Sequence, residues 1–341
     1  MEMENKDISL RGWELMLTKT FMMPLFWDYQ IFSCCDNFMY HILCYDTVRM
    51  DAYRSVIRKT VQGKKVVEIG AGARLPLTLM CAESGAEIIY AIEGNPDAAN
   101  QAARLAEEKG FSHKIRIVTG HSSEITLPEK ADVCLSEIIG CIGSSEGAVV
   151  TLKDAKRFLK PDGVMIPQRC VTKIAPVFLP DKLYTDAFIK DISERHVRGV
   201  CEAAGREVEF SRFQIFNFPE SNLIAEPQIF EDLRFNGSLC AEYAASVSFP
   251  ISSDSIFQGF LLWLNLYVDS ETMIDSFRGT SWGAVYIPYD RGPIALKKGD
   301  LMKMECAVTT GRNKVNPDYT FRGKILREQG ITDSFFIYSA Y

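Results

Sequence analysis

Two glutamates in a glycine-rich segment have the residue type and the spacing to hold a cation. Glu137 and Glu146 are nine residues apart in SEIIGCIGSSEG, which begins at the end of a predicted strand, Val133 to Ser136. Three glycines would let this segment fold back so that both carboxylates converge. Each carboxylate can accept hydrogen bonds from a guanidinium or an amine, so we predict a site for a cationic acceptor. The alternative is that Glu146 only stabilises the first turn of a helix.

A second group of glycine and acidic residues indicates a site for an adenosine-bearing cofactor. The strand Lys65 to Ile69 carries Glu68 and leads into the turn Gly70-Ala71-Gly72, and a later strand, Ile88 to Ile92, stops at Glu93. The glycines would let the backbone approach a ligand where a Cβ atom would clash. An acid at the end of the second strand can accept both hydroxyls of a ribose.

The composition of this turn favours S-adenosylmethionine (SAM) over a dinucleotide. A dinucleotide fingerprint would continue to a third glycine near the helix start, but here the chain continues Ala73-Arg74-Leu75-Pro76. The carboxylate of Glu68 just before the turn repels phosphates but suits an ammonium or sulfonium group. We predict SAM, and a NAD-type fold or a purely structural strand-helix-strand unit is the alternative.

Alternating strands and helices would bring these residues to one edge of a sheet. Such alternation predicts a mostly parallel sheet with helices on both sides, in which ligands lie beyond the carboxyl ends of the strands. Gly70, Glu93, Ser123-Glu124 and Ser136-Glu137 all stand at those ends. Arg49, on the helical run just before the first strand, could reach the carboxylate of the cofactor, or it could be a solvated helix arginine.

The remaining segments predict a helical region before the parallel sheet and a β-rich region after it. The expected fold is therefore α/β, with a Rossmann-like sheet followed by a β-barrel-like domain. Residues 1–60 read as a mostly helical lid rich in aromatic residues, although such residues are often plain core. We assign residues 61–168 to the SAM-binding domain and residues 169–341 to a β-rich substrate domain with a helical arm at about 180–205. The arm could serve in dimerisation or be a long loop.

The bulk properties exclude several classes of protein. With 341 residues, 47% hydrophobic and 24% charged, the chain suits a soluble globular protein, and its net charge of -6 argues against a nucleic-acid-binding face. The 10 cysteines form no C-x-x-C motif and the 4 histidines have no metal-ligand spacing, so we expect reduced thiols and no metal. An acidic N-terminus and the lack of a long apolar run predict a cytoplasmic protein without a membrane span.

Six short segments match the pattern of one known family. They are VRMDAY at 48–53, VVEIGAG at 66–72, IEGN at 92–95, DVCLSEIIG at 132–140, LKPDGVMIP at 159–167 and TSW at 280–282. With Glu146 at the spacing of a double-glutamate loop, the chain resembles the protein arginine N-methyltransferases from about residue 40 onward. The resemblance implies a SAM-dependent methyltransferase of class I, a homodimer formed through the helical arm, and a cis proline at Pro167.

The resemblance also implies a role for each candidate residue. Glu137 and Glu146 would hold the acceptor, and Pro167 would end the sheet domain. The cofactor would contact Arg49 through its carboxylate, Glu93 through its ribose, Ser123 and Glu124 beside its adenine, and the turn of Gly70 and Gly72 after Glu68. Tyr40 stands where the family has a helix histidine near the cofactor.

Several departures from the family pattern bear on the acceptor. The chain has Thr280-Ser281-Trp282 where the family has Thr-His-Trp. In the double-glutamate loop at 136–147, called the acidic loop below, Ile138, Ile139, Cys141 and Ser145 replace larger residues. We therefore predict methyl transfer to a small molecule such as an amino acid or specialised metabolite. A protein arginine methyltransferase is the alternative, and a catalytically silent SAM-binding scaffold is a further one. The glycine pattern argues against a dehydrogenase.

Overall fold

The computed structural model describes residues 2–25, 45–311, 316–328, 330 and 332–339. The α-helices within these ranges are α1 (Glu2–Thr18), α2 (Thr47–Thr60), α3 (Pro76–Glu83), α4 (Pro96–Glu108), α5 (Ala148–Ala155) and α6 (Ala187–Ala204). Short 3-10 helices cover Ser122–Glu124, Ser145–Gly147, Lys156–Phe158 and Glu220–Asn222. Every helix of the described ranges is too short or too polar to cross a bilayer.

The first half of the chain folds around a five-stranded parallel sheet. Its strands are β2 (Lys65–Ile69), β3 (Ile88–Glu93), β4 (Ile115–Thr119), β5 (Ala131–Ser136) and β6 (Leu159–Ile166), in the order β4-β3-β2-β5-β6. Every pairing is parallel, and the central strands are almost wholly buried because helices cover the sheet. The chain therefore reverses its strand order around β2, so the ends of β2, β3 and β5 lie side by side.

The second half builds antiparallel sheets. The additional strands are β1 (Phe21–Pro24), β7 (Arg169–Val177), β8 (Phe213–Phe216), β9 (Gln228–Arg234), β10 (Tyr243–Pro250), β11 (Ser255–Phe257), β12 (Gly259–Tyr267), β13 (Met273–Asp275), β14 (Ala284–Pro288), β15 (Ile294–Leu296), β16 (Leu301–Thr310), β17 (Pro317–Leu326) and β18 (Thr332–Ser339). One sheet has the order β1-β8-β14-β12-β7-β9 with β13 beside β12, a second has the order β10-β16-β17-β18, and β11 pairs with β15. The predicted fold class is confirmed.

The N-terminal segment contains a helix, as predicted, and a short strand that was not predicted. β1 pairs with β8, and the ring of Phe21 stacks on that of Phe216 with 4.8 Å between centroids. Leu15 and Met16 of α1 pack with Ile189 of α6. Residues 2–24 therefore pack on the antiparallel half, and the part of the predicted lid at 26–44 lies outside the described residues. A strand of four residues offers too little alternation to be recognised from sequence.

The two halves meet at Pro167 and share one hydrophobic core. The Ile166–Pro167 peptide bond is cis, as the resemblance implies. A single buried cluster runs from Val66 and Leu135 of the parallel sheet to Phe260 and Phe321 of the antiparallel sheets. The loops at the carboxyl edge of the parallel sheet consequently lie against strands from the second half, and this contact shapes the candidate site.

Candidate active site

The glycine turn and Glu93 form one hydrogen-bonded unit. Gly70 and Gly72 have φ of 74° and 68°, a left-handed backbone that glycine adopts without strain. Glu93 Oε2 accepts a hydrogen bond from the amide of Gly72, and Glu93 Oε1 accepts one from the amide of Asn95, both at 2.8 Å. The carboxylate that the sequence assigned to the ribose is therefore fixed next to the turn, at the ends of β2 and β3.

Glu68 lies behind this turn. Its side chain is 1% exposed and accepts a hydrogen bond from the hydroxyl of Thr78 on α3. Burial raises the pKa of Glu68 to about 8, which the bond from Thr78 partly offsets. In this arrangement Glu68 joins β2 to α3, and its direct contact with a cofactor stays a prediction.

The remaining predicted cofactor residues are Ser123, Glu124 and Tyr40. Ser123 and Glu124 are exposed on the short 3-10 helix after β4, where the amide of Gly120 donates to the carbonyl of Glu93. They stand at the same sheet edge as the glycine turn. Tyr40 and most aromatic residues of the predicted lid, which lie between residues 26 and 38, are outside the described residues.

The hydrogen-bond acceptors and the glycine turn at this edge of the sheet fit SAM. Glu93 keeps both carboxylate oxygens at the turn, each with one backbone donor, so each retains lone pairs for a ribose hydroxyl. A Cβ atom on Gly70 would lie 2.9 Å from Cγ2 of Ile138, so the turn lies directly against the acidic loop. A methyl donor held at the turn would thus be next to Glu137, which follows β5.

Arg49 is brought to the acidic loop by α2. Its side chain is 3% exposed, and Nη1 donates to Oε1 of Glu137 at 3.0 Å while Nη2 donates to Oγ of Ser281 at 3.0 Å. The guanidinium carbon lies 3.3 Å from the ring centroid of Trp282, a cation–π contact. Arg49 is therefore not the solvated helix arginine of the alternative, and its contact with a cofactor carboxylate stays a prediction.

Glu146 occupies a special backbone position at the end of the acidic loop. Its φ and ψ are 61° and 20°, and α5 begins only at Ala148 with Gly147 as its cap. Glu146 is thus outside the first turn of the helix, where the alternative interpretation would have put it. A Cβ atom on Gly140 would overlap the carboxylate of Glu146 and the hydroxyl of Ser145, so this glycine leaves room for the glutamate side chain.

Both glutamates have raised pKa values, and the charge of Glu137 contributes to the shift at Glu146. Burial raises the pKa of Glu137, although the nearby positive charge of Arg49 opposes the shift. Burial also raises the pKa of Glu146 to about 8, and the negative charge of Glu137 adds to it. Glu137 pairs with Arg49 and adds to the raised pKa of Glu146, so a second cation that entered the loop would favour the ionised form of Glu146.

The 280–282 segment closes one side of the acidic loop. The indole Nε1 of Trp282 donates to the carbonyl of Ile139 at 2.8 Å, and Sγ of Cys141 lies 3.0 Å from the carbonyl oxygen of Trp282. Ser281 donates through its amide and its hydroxyl to Oδ2 of Asp46, at 2.8 and 2.9 Å. Ser281 stands where the family pattern has a histidine, and it bridges Asp46 and Arg49.

Several residues of this arrangement were not singled out from the sequence. Asp46 caps α2 by accepting from the amide of Arg49 at 3.0 Å, and its spacing of three residues from Arg49 is the only sequence signal for the pair. Thr172, Glu231 and Tyr319 contact the acidic loop from strands far along the chain. No local pattern could have indicated them, because only the folded barrel brings them to the loop.

A family model matches part of the chain. Residues 29–166 match the model described as PRMT5 arginine-N-methyltransferase. Protein arginine N-methyltransferase PRMT10 of Oryza sativa subsp. japonica is 34% identical over 159 residues, which are 44% of this chain and 40% of the relative. The histone-arginine methyltransferase CARMER of Drosophila grimshawi is 36% identical over 42% of this chain and 27% of the relative. The chain thus spans less than half the length of the curated relatives it matches.

Solved structures extend the likeness in fold. Protein arginine methyltransferase 10 of Arabidopsis thaliana superposes with a TM-score of 0.72 over 88% of this chain and 97% of that structure, at 20% identity. The Trypanosoma brucei PRMT1 enzyme-prozyme complex superposes with a TM-score of 0.66 over 86% and 96%, at 15% identity. Most of the chain, including parts of both halves, therefore shares its fold with these structures.

Proposed function

Because this chain is related to the protein arginine methyltransferases in sequence and fold, we propose that it transfers a methyl group from SAM to a guanidine nitrogen of arginine in a protein. The observation that carries the proposal is the pair of largely buried carboxyls, Glu137 and Glu146, beside the glycine turn. The relatives named above are protein and histone arginine methyltransferases, which favours this acceptor over the small molecule that we put first from the sequence.

The cofactor is held by the edge of the parallel sheet in this proposal. Gly70 and Gly72 would accommodate its methionine part, Glu93 would accept its ribose hydroxyls, and Ser123 with Glu124 would flank its adenine. Arg49 would remain beside Glu137 and offer a guanidinium N–H to the carboxylate of the cofactor. SAM supplies an electrophilic methyl group, and the protein contributes mainly alignment.

The acidic loop binds and orients the acceptor. An arginine guanidinium has a pKa above about 12 and arrives charged, so the carboxylates of Glu137 and Glu146 can each accept its N–H groups. Their hydrogen bonds localise the positive charge away from the nitrogen that faces the methyl donor. Entry of this cation favours the ionised form of Glu146 and displaces its proton.

A small-molecule acceptor is the second candidate, and one feature favours it. Ile138, Cys141 and Ser145 are small or aliphatic, and Ser145 turns its hydroxyl to the carbonyl of Ile142 at 2.7 Å. These three positions of the loop therefore offer no aromatic ring to a peptide. A homodimer through α6 belongs to the proposal as well, and light scattering of the purified protein tests it.

The acceptor class is tested by following the label from methyl-labelled SAM. The purified protein is incubated with labelled SAM and a cell extract, which is then separated into macromolecules and small molecules and analysed by mass spectrometry. We expect labelled methylarginine in the acid hydrolysate of the protein fraction. Label in small molecules alone would support the second candidate. Tight SAM binding without transfer would replace both with a silent scaffold.

A further inference from the structure

A buried glutamate on β9, in the second half of the chain, contacts the acidic loop. Glu231 on β9 is 1% exposed, and no described lysine or arginine forms an ion pair with it. Its Oε2 accepts from the amide of Ser144 at 3.2 Å and from the hydroxyl of Thr172 at 2.7 Å, and its Oε1 accepts from the hydroxyl of Ser144. A buried carboxyl destabilises the fold unless hydrogen-bond donors satisfy it, and Ser144 and Thr172 supply these donors to Glu231.

The same contacts fix the loop backbone just before the second acceptor glutamate. Thr172 Oγ1 accepts a hydrogen bond from the amide of Gly143 at 3.0 Å while its hydroxyl donates to Glu231. A Cβ atom on Gly143 would lie 2.8 Å from Sγ of Cys170, so the loop lies directly on β7. The amides of two successive loop residues, Gly143 and Ser144, are therefore held by one threonine–glutamate pair. Glu146 follows two residues later.

A β-bulge gives Glu231 its direction. Thr172 and Glu231 are register partners, but the next pair along is Lys173 with Ile229, so Phe230 is an extra residue on β9. The bulge lets two successive residues, Phe230 and Glu231, both be buried. Phe230 packs against Tyr319, with ring centroids 5.7 Å apart, while Glu231 faces the loop.

A third strand completes the contact. The hydroxyl of Tyr319 on β17 lies 2.8 Å from Oγ of Ser144. Because the hydroxyl proton of Ser144 goes to Glu231, Tyr319 is the donor in this bond. Ser144 is thus bonded to β9 and β17, and Thr172 adds β7, so three strands of the second half determine the position of one loop turn.

We propose that Glu231 is a positioning residue that acts through Thr172 and Ser144 to hold the acidic loop, and with it Glu146, in the geometry needed for methyl transfer. The proposal rests on the proposed function, in which Glu146 holds the acceptor. Glu231 has no described contact with the glycine turn at 70–72, where the cofactor would bind. Its loss should therefore affect turnover and leave the affinity for SAM unchanged.

The test combines kinetics with hydrogen exchange on the full-length protein. In Glu231→Gln, we expect kcat to fall on the order of tenfold to hundredfold while the Kd of SAM stays the same, because misplacement of a binding group by about an ångström is that costly. Exchange of amides in peptides covering residues 139–147 should become faster, whereas peptides covering β2 and α3 should not change. Leu296→Ala, a buried change on β15, is the control for general destabilisation and should keep the exchange of 139–147.

A double-mutant comparison tests the route through Ser144. If Glu231 acts through this residue, Glu231→Gln with Ser144→Ala should lose little more kcat than Glu231→Gln alone, and fully additive losses would contradict the route. Thr172→Val gives a second test if Glu231→Gln does not fold, since it removes the partner of the Gly143 amide.

The outcomes separate this proposal from the proposed function. Unchanged exchange of residues 139–147 in Glu231→Gln would overturn the positioning role, and so would faster exchange with a wild-type kcat. If the wild-type protein transfers no methyl group to any acceptor, the proposed function fails. The exchange data would then still decide whether Glu231 holds the loop.

Discussion

Glu146 combines a left-handed backbone, an adjacent glycine and a carboxyl whose pKa is raised to about 8. A carboxyl in this state is mostly protonated at neutral pH as long as the site holds no cation. A guanidinium that binds between Glu137 and Glu146 favours the ionised form and must displace the proton. Acceptor binding and proton release are therefore coupled at this residue.

This coupling predicts that kcat/KM for the acceptor depends on pH. Below pH 8 the entering cation has to expel the proton of Glu146, so kcat/KM for the acceptor should rise with pH and level off above about 8. The measurement is kcat/KM for an arginine peptide between about pH 6 and 9. The Glu146→Gln variant is the control, since its residual activity should lack this rise. An equal rise in that variant would assign the titration to another group.

The acidic loop carries both Glu137 and Glu146. The 280–282 segment holds its first part through Trp282, and Thr172 with Glu231 holds its second part. Between these contacts Gly140 lies against the carboxylate of Glu146. The loop has little internal regular structure, so its shape comes from partners elsewhere in the chain.

Adding one methyl group inside this loop should disturb catalysis selectively. In Gly140→Ala the new Cβ atom would overlap the Glu146 carboxylate and displace it, so we expect kcat to fall on the order of a hundredfold with the Kd of SAM unchanged. Gly237→Ala is a matched control, because its Cβ atom would meet only ordinary contacts at 3.4 Å. Steady-state kinetics and calorimetric SAM titration read both variants. A normal kcat in Gly140→Ala would mean that Glu146 need not stay where it lies.

The sequence is informative where function follows from local pattern. The strand ends at Gly70, Glu93 and Glu137 could be assigned to one edge because parallel strands share their direction. Their roles as site residues remain predictions. The partners of the acidic loop could not be found this way, since Glu231 depends on a bulge and on a strand about 90 residues downstream. The short strands β1 and β13 were likewise too brief to show a period.

The whole molecule joins the two halves through a continuous core. Buried residues of the parallel sheet such as Val66 belong to the same cluster as Phe260 and Phe321 of the antiparallel sheets. Arg49, Asp46 and Ser281 add a buried polar contact between α2 and the second half. Neither half could expose its side of this interface without losing apolar burial and the hydrogen bonds that Ser281 makes with Arg49 and Asp46.

A shared core predicts cooperative unfolding. Differential scanning calorimetry of the full chain should give one transition, with equal calorimetric and van't Hoff enthalpies, because the halves stabilise each other. SAM should raise the transition temperature as a single peak, as expected for a ligand that binds only the folded state. Two resolved transitions, of which SAM shifts only one, would show that the halves fold independently.

In the proposed function, Glu137 and Glu146 hold an arginine for methyl transfer. The most direct test of this role measures methylarginine formation from labelled SAM and an arginine peptide by the wild type, Glu137→Gln and Glu146→Gln, with the Kd of SAM determined for each. We predict methylarginine from the wild type, and turnover lower by about 10²–10³ in both variants with SAM affinity retained. Near-normal turnover in both variants would contradict the account.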